Sequence, residues 1–312
     1  MILLFLPPFV TLILCTYAVF LPSDNAWTGI FIDRTGGKEY KKCMFNGMEE
    51  QLLIGGALSL LAGLCTGIGA AVALFLKRTN AKMLTFSLGA SAGVMVYISF
   101  MELMPLAMEK LGEGLANKWI VLGSFFGGMG LAALIDKLVP EDENPHEFRS
   151  EDEVHQAQCA TSLQGRDKVK RSAFLFAIAI GVHNFPEGMA TVAAAFDDVS
   201  IALSVALAVA IHNIPEGLTV AVPLLYGTGS RSKAFWVGTL TGLAEPLGAL
   251  VCMLVLLPFL SATLLGILFA VVAGIMVFIS FDELLPMAER WGHHHLSIGG
   301  VMVGMFVMAA VL

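Results

Sequence analysis

The sequence predicts an all-α, polytopic membrane protein with eight transmembrane helices in a 3+2+3 inverted-repeat arrangement over residues 51–312. A hydrophobic segment and a polar extracytoplasmic stretch precede it in residues 1–50. Three observations carry this expectation. Hydrophobic residues fill 57% of the 312 positions and charged residues only 14%, whereas soluble domains hold about 25% charged residues. Apolar runs of the roughly 20 residues that span hydrocarbon recur along the chain. Two internal repeats relate segments that would cross the membrane in opposite directions.

The runs lie near 52–76, 84–107, 119–139, 172–196, 199–224, 234–259, 263–287 and 296–312. Lipid offers no partner to bare backbone groups, so runs of this length are expected as helices, with tight turns near 198 and 261. Residues 1–21 form a further apolar run ending in LPSDN. It lacks the basic start of a signal peptide, and Pro7-Pro8 weakens a helix; a signal and an extra span both stay open. The loop at 140–171 is the longest interior connection and carries many acidic groups with His146 and His155. A solvated cytoplasmic linker and a weak metal buffer are the two readings of it. The tract His293, His294 and His295 divides in the same way between a hydrated turn and a metal-binding tract.

Orientation follows from the cations. With the first main span running inward, twelve Lys and Arg residues fall in or beside inner loops, against Lys110 and Lys118 in the outer ones between helices. That bias fits the positive-inside rule. The net charge of −7 then says little about partners, and no basic patch for nucleic acid is present. Cys15, Cys43, Cys65, Cys159 and Cys252 are scattered without a C-x-x-C pair, which points to neither a disulfide framework nor a thiolate metal site.

The repeats place the chemistry. AGVMVYISFMELMPLA at 92–107 matches AGIMVFISFDELLPMA at 273–288, and HNFPEG at 183–188 returns as HNIPEG at 212–217. Within each hexapeptide, His and Glu lie four residues apart on one helical face, with Asn on its flank. Pro186 and Pro215 each remove a backbone donor. Glu245, in GLAEPLG on the sixth span, brings a third carboxylate beside a proline. A carboxylate at mid-membrane depth costs about 2.5–3.5 kcal/mol on insertion scales. A divalent cation reverses that cost.

The donor set divides naturally between two ions. His183, Glu187, His212 and Glu216 suit the first, while Asn184, Asn213 and Glu245 complete a second, with Glu187 and Glu216 as bridges. Imidazole and carboxylate favour first-row metals such as zinc and ferrous iron, and binding should weaken as acid protonates the imidazoles. Along the expected path, Met95, Glu102 and Glu109 recur every seven residues, and Glu102 pairs with Glu283 across the repeat. Glu102 is placed at the outer mouth and Glu283 with Asp282 at the inner one. Met95 and Met276 also read as ordinary core residues.

With these motifs the chain resembles the ZIP (Zrt/Irt-like) metal transporter family, nearest its bacterial zinc-uptake branch. The resemblance covers about 52–312 and rests on the two hexapeptides, the Glu245 segment and SLGASAGVMVYISFMELMP in the second span. It implies eight helices, metal uptake into the cytosol and a binuclear site on the fourth, fifth and sixth spans. It further implies that His183, Asn184, Glu187, His212, Asn213, Glu216 and Glu245 are ligands, with Met95 near the metal. The interior loop lacks the long His-rich tract common in eukaryotic members.

The resulting expectation is transport of Zn2+, with Fe2+, Mn2+, Co2+ or Cd2+ as further substrates, by alternating access in a multi-pass plasma-membrane protein. No organic cofactor and no nucleic-acid partner are expected; the lipid bilayer is the partner, and a homodimer is an allowed assembly. A membrane metalloenzyme or a metal-sensing receptor is the competing class. Against the enzyme, no H-E-x-x-H helix is present; no phosphate-binding loop offers ATP as an energy source either.

Overall fold

The computed structural model describes residues 37–75, 81–137, 163–256, 259, 261–289 and 292–312. The segment 1–21, His146 and His155 lie outside the described residues. Among those described, every long element is a helix. In chain order these are α1 (Gly37–Phe75), α2 (Ala81–Leu111), α3 (Leu115–Lys137), α4 (Leu163–Asp197) and α5 (Val199–Thr228), followed by α6 (Arg231–Val255), α7 (Ala262–Glu289) and α8 (His294–Val311). All but α4 are long and apolar enough to cross a membrane by length and composition. α4 combines a hexapeptide with a strongly charged first third.

Two boundaries differ from expectation. α1 starts at Gly37, well before the apolar run, and α4 starts at Leu163, inside the presumed 140–171 loop. Both extensions are polar but free of proline, and elongating a formed helix is far easier than nucleating one. The expected tight turns are present. Asp198 caps α5 by accepting from the Ser200 amide at 2.6 Å, and Ser261 caps α7 by accepting from the Leu264 amide at 3.1 Å. The Ser200 hydroxyl and amide also hold the Asp198 carboxyl below its ordinary range. Between α5 and α6, Gly229 turns the chain at φ 64°.

The helices pack as two related halves. α1 lies on α5 as α6 lies on α4, and α2 lies on α8 as α7 lies on α3. Glycine contacts repeat the relation in detail. Gly217 meets the Thr66 carbonyl and Gly69 that of Ile214, while Gly188 meets the Glu245 carbonyl and Gly248 that of Phe185. In the outer pairs, Gly93 meets the Val301 carbonyl as Gly274 meets that of Phe125. A side chain at these positions would strike backbone, so glycine is what lets the helices approach so closely.

These contacts sort the helices. Among the described residues, every approach of a glycine to another helix's backbone falls within α1, α4, α5 and α6 or within α2, α3, α7 and α8. Side chains join the two groups instead: Ser91 of α2 donates to the His212 carbonyl at 3.4 Å, and Lys110 at the end of α2 pairs with Asp197 at the end of α4. α5 is the most buried span, while α3 and α8 turn most of their surface outward, as lipid-facing helices would.

α2 and α7 each contain a π-helical turn, Ser99–Leu103 and Ser280–Leu284. At the head of each, the serine hydroxyl donates four residues back, Ser99 to Met95 at 2.7 Å and Ser280 to Met276 at 2.8 Å. The extra residue in the turn shifts the helical face, and with it the direction in which Glu102 and Glu283 leave the helix.

Candidate metal centre

Both hexapeptides sit in uninterrupted helix: α4 continues through Pro186 and α5 through Pro215. α6 behaves otherwise, breaking at Leu243 between Arg231–Gly242 and Ala244–Val251. Pro246 has no N–H for the Gly242 carbonyl, so the helix loses a bond there and turns its next segment. Glu245 lies in the first turn of that segment, directed at α5 through Asn213.

The structure brings the polar residues of the three helices together deep in the protein. Glu187 is 1% exposed, and His212, Asn213, Glu216, Asn184 and Glu245 are 0% exposed. Oxygens of Glu187 and Glu216 and a ring nitrogen of His212 lie within 4.8 Å of one another. His183 is buried beside them but outside that group. Among the described residues no lysine or arginine is paired with these carboxylates; Glu187 is paired with His212.

The histidine geometry is informative. His212 Nδ1 lies 3.0 Å from the Ala208 carbonyl, which can only accept, so Nδ1 carries a proton. Its Nε2 lies 3.2 Å from Glu187 Oε1. In the neutral ring two acceptors would face each other there, so either a proton or a cation must stand between them. A ring that donates one nitrogen to a backbone carbonyl and offers the other to a carboxylate is the usual posture of a metal-ligating histidine. Donor atoms around a tetrahedral zinc sit about 3.3 Å apart, and this pair already has that spacing.

The second group is also tied together. Asn213 Nδ2 donates to Glu245 and to the Ala62 carbonyl of α1, the latter at 2.9 Å. Asn184 reaches the Thr241 carbonyl at 3.4 Å, or, with its amide turned over, donates to the Ile180 carbonyl and Glu216 Oε2 at 3.1 Å each. Buried donor atoms remain with no hydrogen-bond partner: His183 Nε2, Glu187 Oε2, Glu216 Oε1, Glu245 Oε2 and Asn213 Oδ1. Buried polar atoms are nearly always satisfied. A cluster of lone pairs left over in one place is what a cation site looks like before the ion is added.

The expected path residues divide. Met95 is fully buried, one helical turn along α2 from Ser91, whose hydroxyl reaches the His212 carbonyl. Glu102 is partly exposed, Asp282 exposed and Glu283 buried, and none belongs to the central cluster. In the His293–His295 tract, exposed His294 lies 2.8 Å from Glu289. Sequence reasoning missed Ser91 and the Ala62 carbonyl. Ala62 carries no polar side chain to mark it, and Ser91 is one serine in a small-residue run.

The family model described as "ZIP Zinc transporter" matches residues 51–312. Among curated proteins, the zinc transporter ZupT of Akkermansia muciniphila is 59% identical over 266 residues, 84% of this chain and 98% of the relative. The ZupT proteins of Streptococcus mutans and Lysinibacillus sphaericus are 49% and 48% identical over 268 residues each, covering 85% of this chain and 98% of the relative. These relatives are named as transporters, not enzymes.

Proposed function

We propose that this chain, which belongs to the ZIP family, carries divalent metal ions across a membrane into the cytosol, with zinc as principal substrate. The relatives' shared name supports the choice of zinc. Fe2+, Mn2+, Co2+ and Cd2+ suit the same imidazole and carboxylate donors. The observation that carries the reading is the buried group of Glu187, His212 and Glu216, within 4.8 Å and without a lysine or arginine partner among the described residues. Glu187, Glu216 and His212, with His183, would hold one ion; Asn184, Asn213 and Glu245 would hold a second, sharing the two glutamates.

Transport then follows from alternating access to this centre. An ion sheds water near Glu102, exchanges it for the buried donors, and leaves past Glu283 and Asp282. Each exchange keeps the cation near oxygen or nitrogen, which avoids the desolvation cost of crossing bare hydrocarbon. The plasma membrane is the host, lipid covers the outer faces of α3 and α8, and a homodimer is the assembly to look for. The test is zinc flux into liposomes holding the purified chain. Flux that disappears in His212→Ala and Glu187→Ala supports the reading, whereas zinc binding without flux in the parent refutes transport and favours a receptor or metalloenzyme.

A further inference from the structure

The relation between the two halves pairs the donors of the centre: His183 with His212, Asn184 with Asn213, and Glu187 with Glu216. It also pairs α6 with α1. Gly188 meets the Glu245 carbonyl as Gly217 meets that of Thr66, and Gly63 and Gly242 each meet the other's carbonyl. Glu245 therefore has a counterpart, and it is Thr66.

Thr66 is 0% exposed, and its hydroxyl oxygen has no hydrogen-bond partner. A threonine in a helix usually avoids that cost by donating to the carbonyl four residues back. Here that carbonyl belongs to Ala62 and already accepts from Asn213 Nδ2 at 2.9 Å, besides lying in line for the helix bond to the Thr66 amide. Both of its lone pairs are committed. The same arrangement sets the Thr66 backbone beside the Ala62 carbonyl that receives Asn213, whose amide also donates to Glu245. The Thr66 hydroxyl, a buried oxygen with no partner, lies against Gly242 of α6, three residues before Glu245.

We propose that Thr66 is a specificity-determining residue of the metal centre, its hydroxyl oxygen serving the ion held by Asn184, Asn213 and Glu245, directly or through one bound water. This rests on the two-ion reading above. A neutral hydroxyl where the other half supplies a carboxylate makes the two sides of the centre unequal, and it accepts hard, oxygen-preferring cations more readily than soft ones.

The test is calorimetric titration of the full chain in detergent, stripped of metal by a chelator, with zinc and then manganese. The parent is compared with Thr66→Val, Thr66→Ala and Thr66→Ser. The parent should take up two zinc ions. Thr66→Val, nearly the same shape without the oxygen, should weaken the looser ion about tenfold and manganese at least as much. It should leave the tighter ion within about twofold, and Thr66→Ser should restore the parent's behaviour. Thr66→Ala should follow Thr66→Val, and it decides the matter if the valine variant fails to fold. Both ions bound as in the parent by Thr66→Val and Thr66→Ala would overturn the role of Thr66 while leaving two ions in place. Equal weakening of both ions without rescue by serine would assign Thr66 to packing and also overturn it. A parent that binds a single zinc would overturn the two-ion reading itself.

Discussion

Replacing Glu187 with glutamine should remove most of the stability that zinc adds to the protein. With the ligand atoms of Glu187 and Glu216 within 4.8 Å, two ionised carboxylates would repel by about 3.5 kcal/mol at an effective dielectric of 20, while without metal the proton between His212 Nε2 and Glu187 Oε1, 3.2 Å apart, offsets that repulsion. Glutamine removes both the repulsion and the charge on the Glu187 side of the pair, keeping a neutral hydrogen bond to Nε2. The two changes oppose, so the metal-free stability should shift by no more than about 1 kcal/mol. In the parent, zinc at a hundred times its dissociation constant adds about 2.7 kcal/mol. Loss of a direct ligand should weaken binding by at least the 10–100-fold seen for groups that merely support ligands, removing most of that increment. Thermal unfolding in detergent with and without zinc reads both effects, and liposome flux should fall to background. An unchanged zinc-induced rise in Glu187→Gln would refute the reasoning, because Glu187 would then not be a ligand.

Gly217→Val and Gly188→Val should each destabilise the protein by about 3 kcal/mol or more, since the new side chain meets a helix backbone that cannot step aside; denaturation of the two purified variants should show matching losses. Glu102→Ala should raise the apparent KM for zinc several-fold while leaving the maximal rate close to the parent's, and an untouched concentration dependence would remove Glu102 from the path. Lys110→Ala and Asp197→Ala should each loosen the contact between α2 and α4, and the exchanged pair Lys110→Asp with Asp197→Lys should recover it. For side chains only 17–18% exposed, a coupling of about 1 kcal/mol is expected from a double-mutant stability cycle.

The span pattern and the polar residues that the structure gathers between α4, α5 and α6 were legible because both depend on composition over short windows. A stretch such as ATLLGILFAVVAGIMVFI has few options but to be a buried helix, and His, Asn and Glu in repeated hexads inside such stretches announce themselves. The 3+2+3 repeat already pairs α1 with α6, but the residue register between them was not read. GLCTGIG and GLAEPLG share glycines and a leucine in register, but the position that carries a carboxylate in one carries Thr66 in the other. The π turns at Ser99 and Ser280 were not read, although both fall on the repeat ISF-x-EL-x-P, where Pro105 and Pro286 each remove a backbone donor just past the turn. The early starts of α1 and α4 were hidden for a different reason: their first turns are polar, and hydropathy detects lipid contact rather than helix.

The glycine contacts have a mechanical consequence. Bare backbone pressed on bare backbone leaves no compliant layer of side chains, so one helix could slide along the other only by lifting its carbonyls over the neighbour's Cα ridge. α1, α4, α5 and α6 are keyed to one another in this way, as are α2, α3, α7 and α8. The boundary between these quartets is padded by ordinary side chains, and shear there needs no such lift. A displacement that exposed the centre first to one side and then to the other would therefore cost least on that boundary, leaving the quartet that holds the centre undeformed.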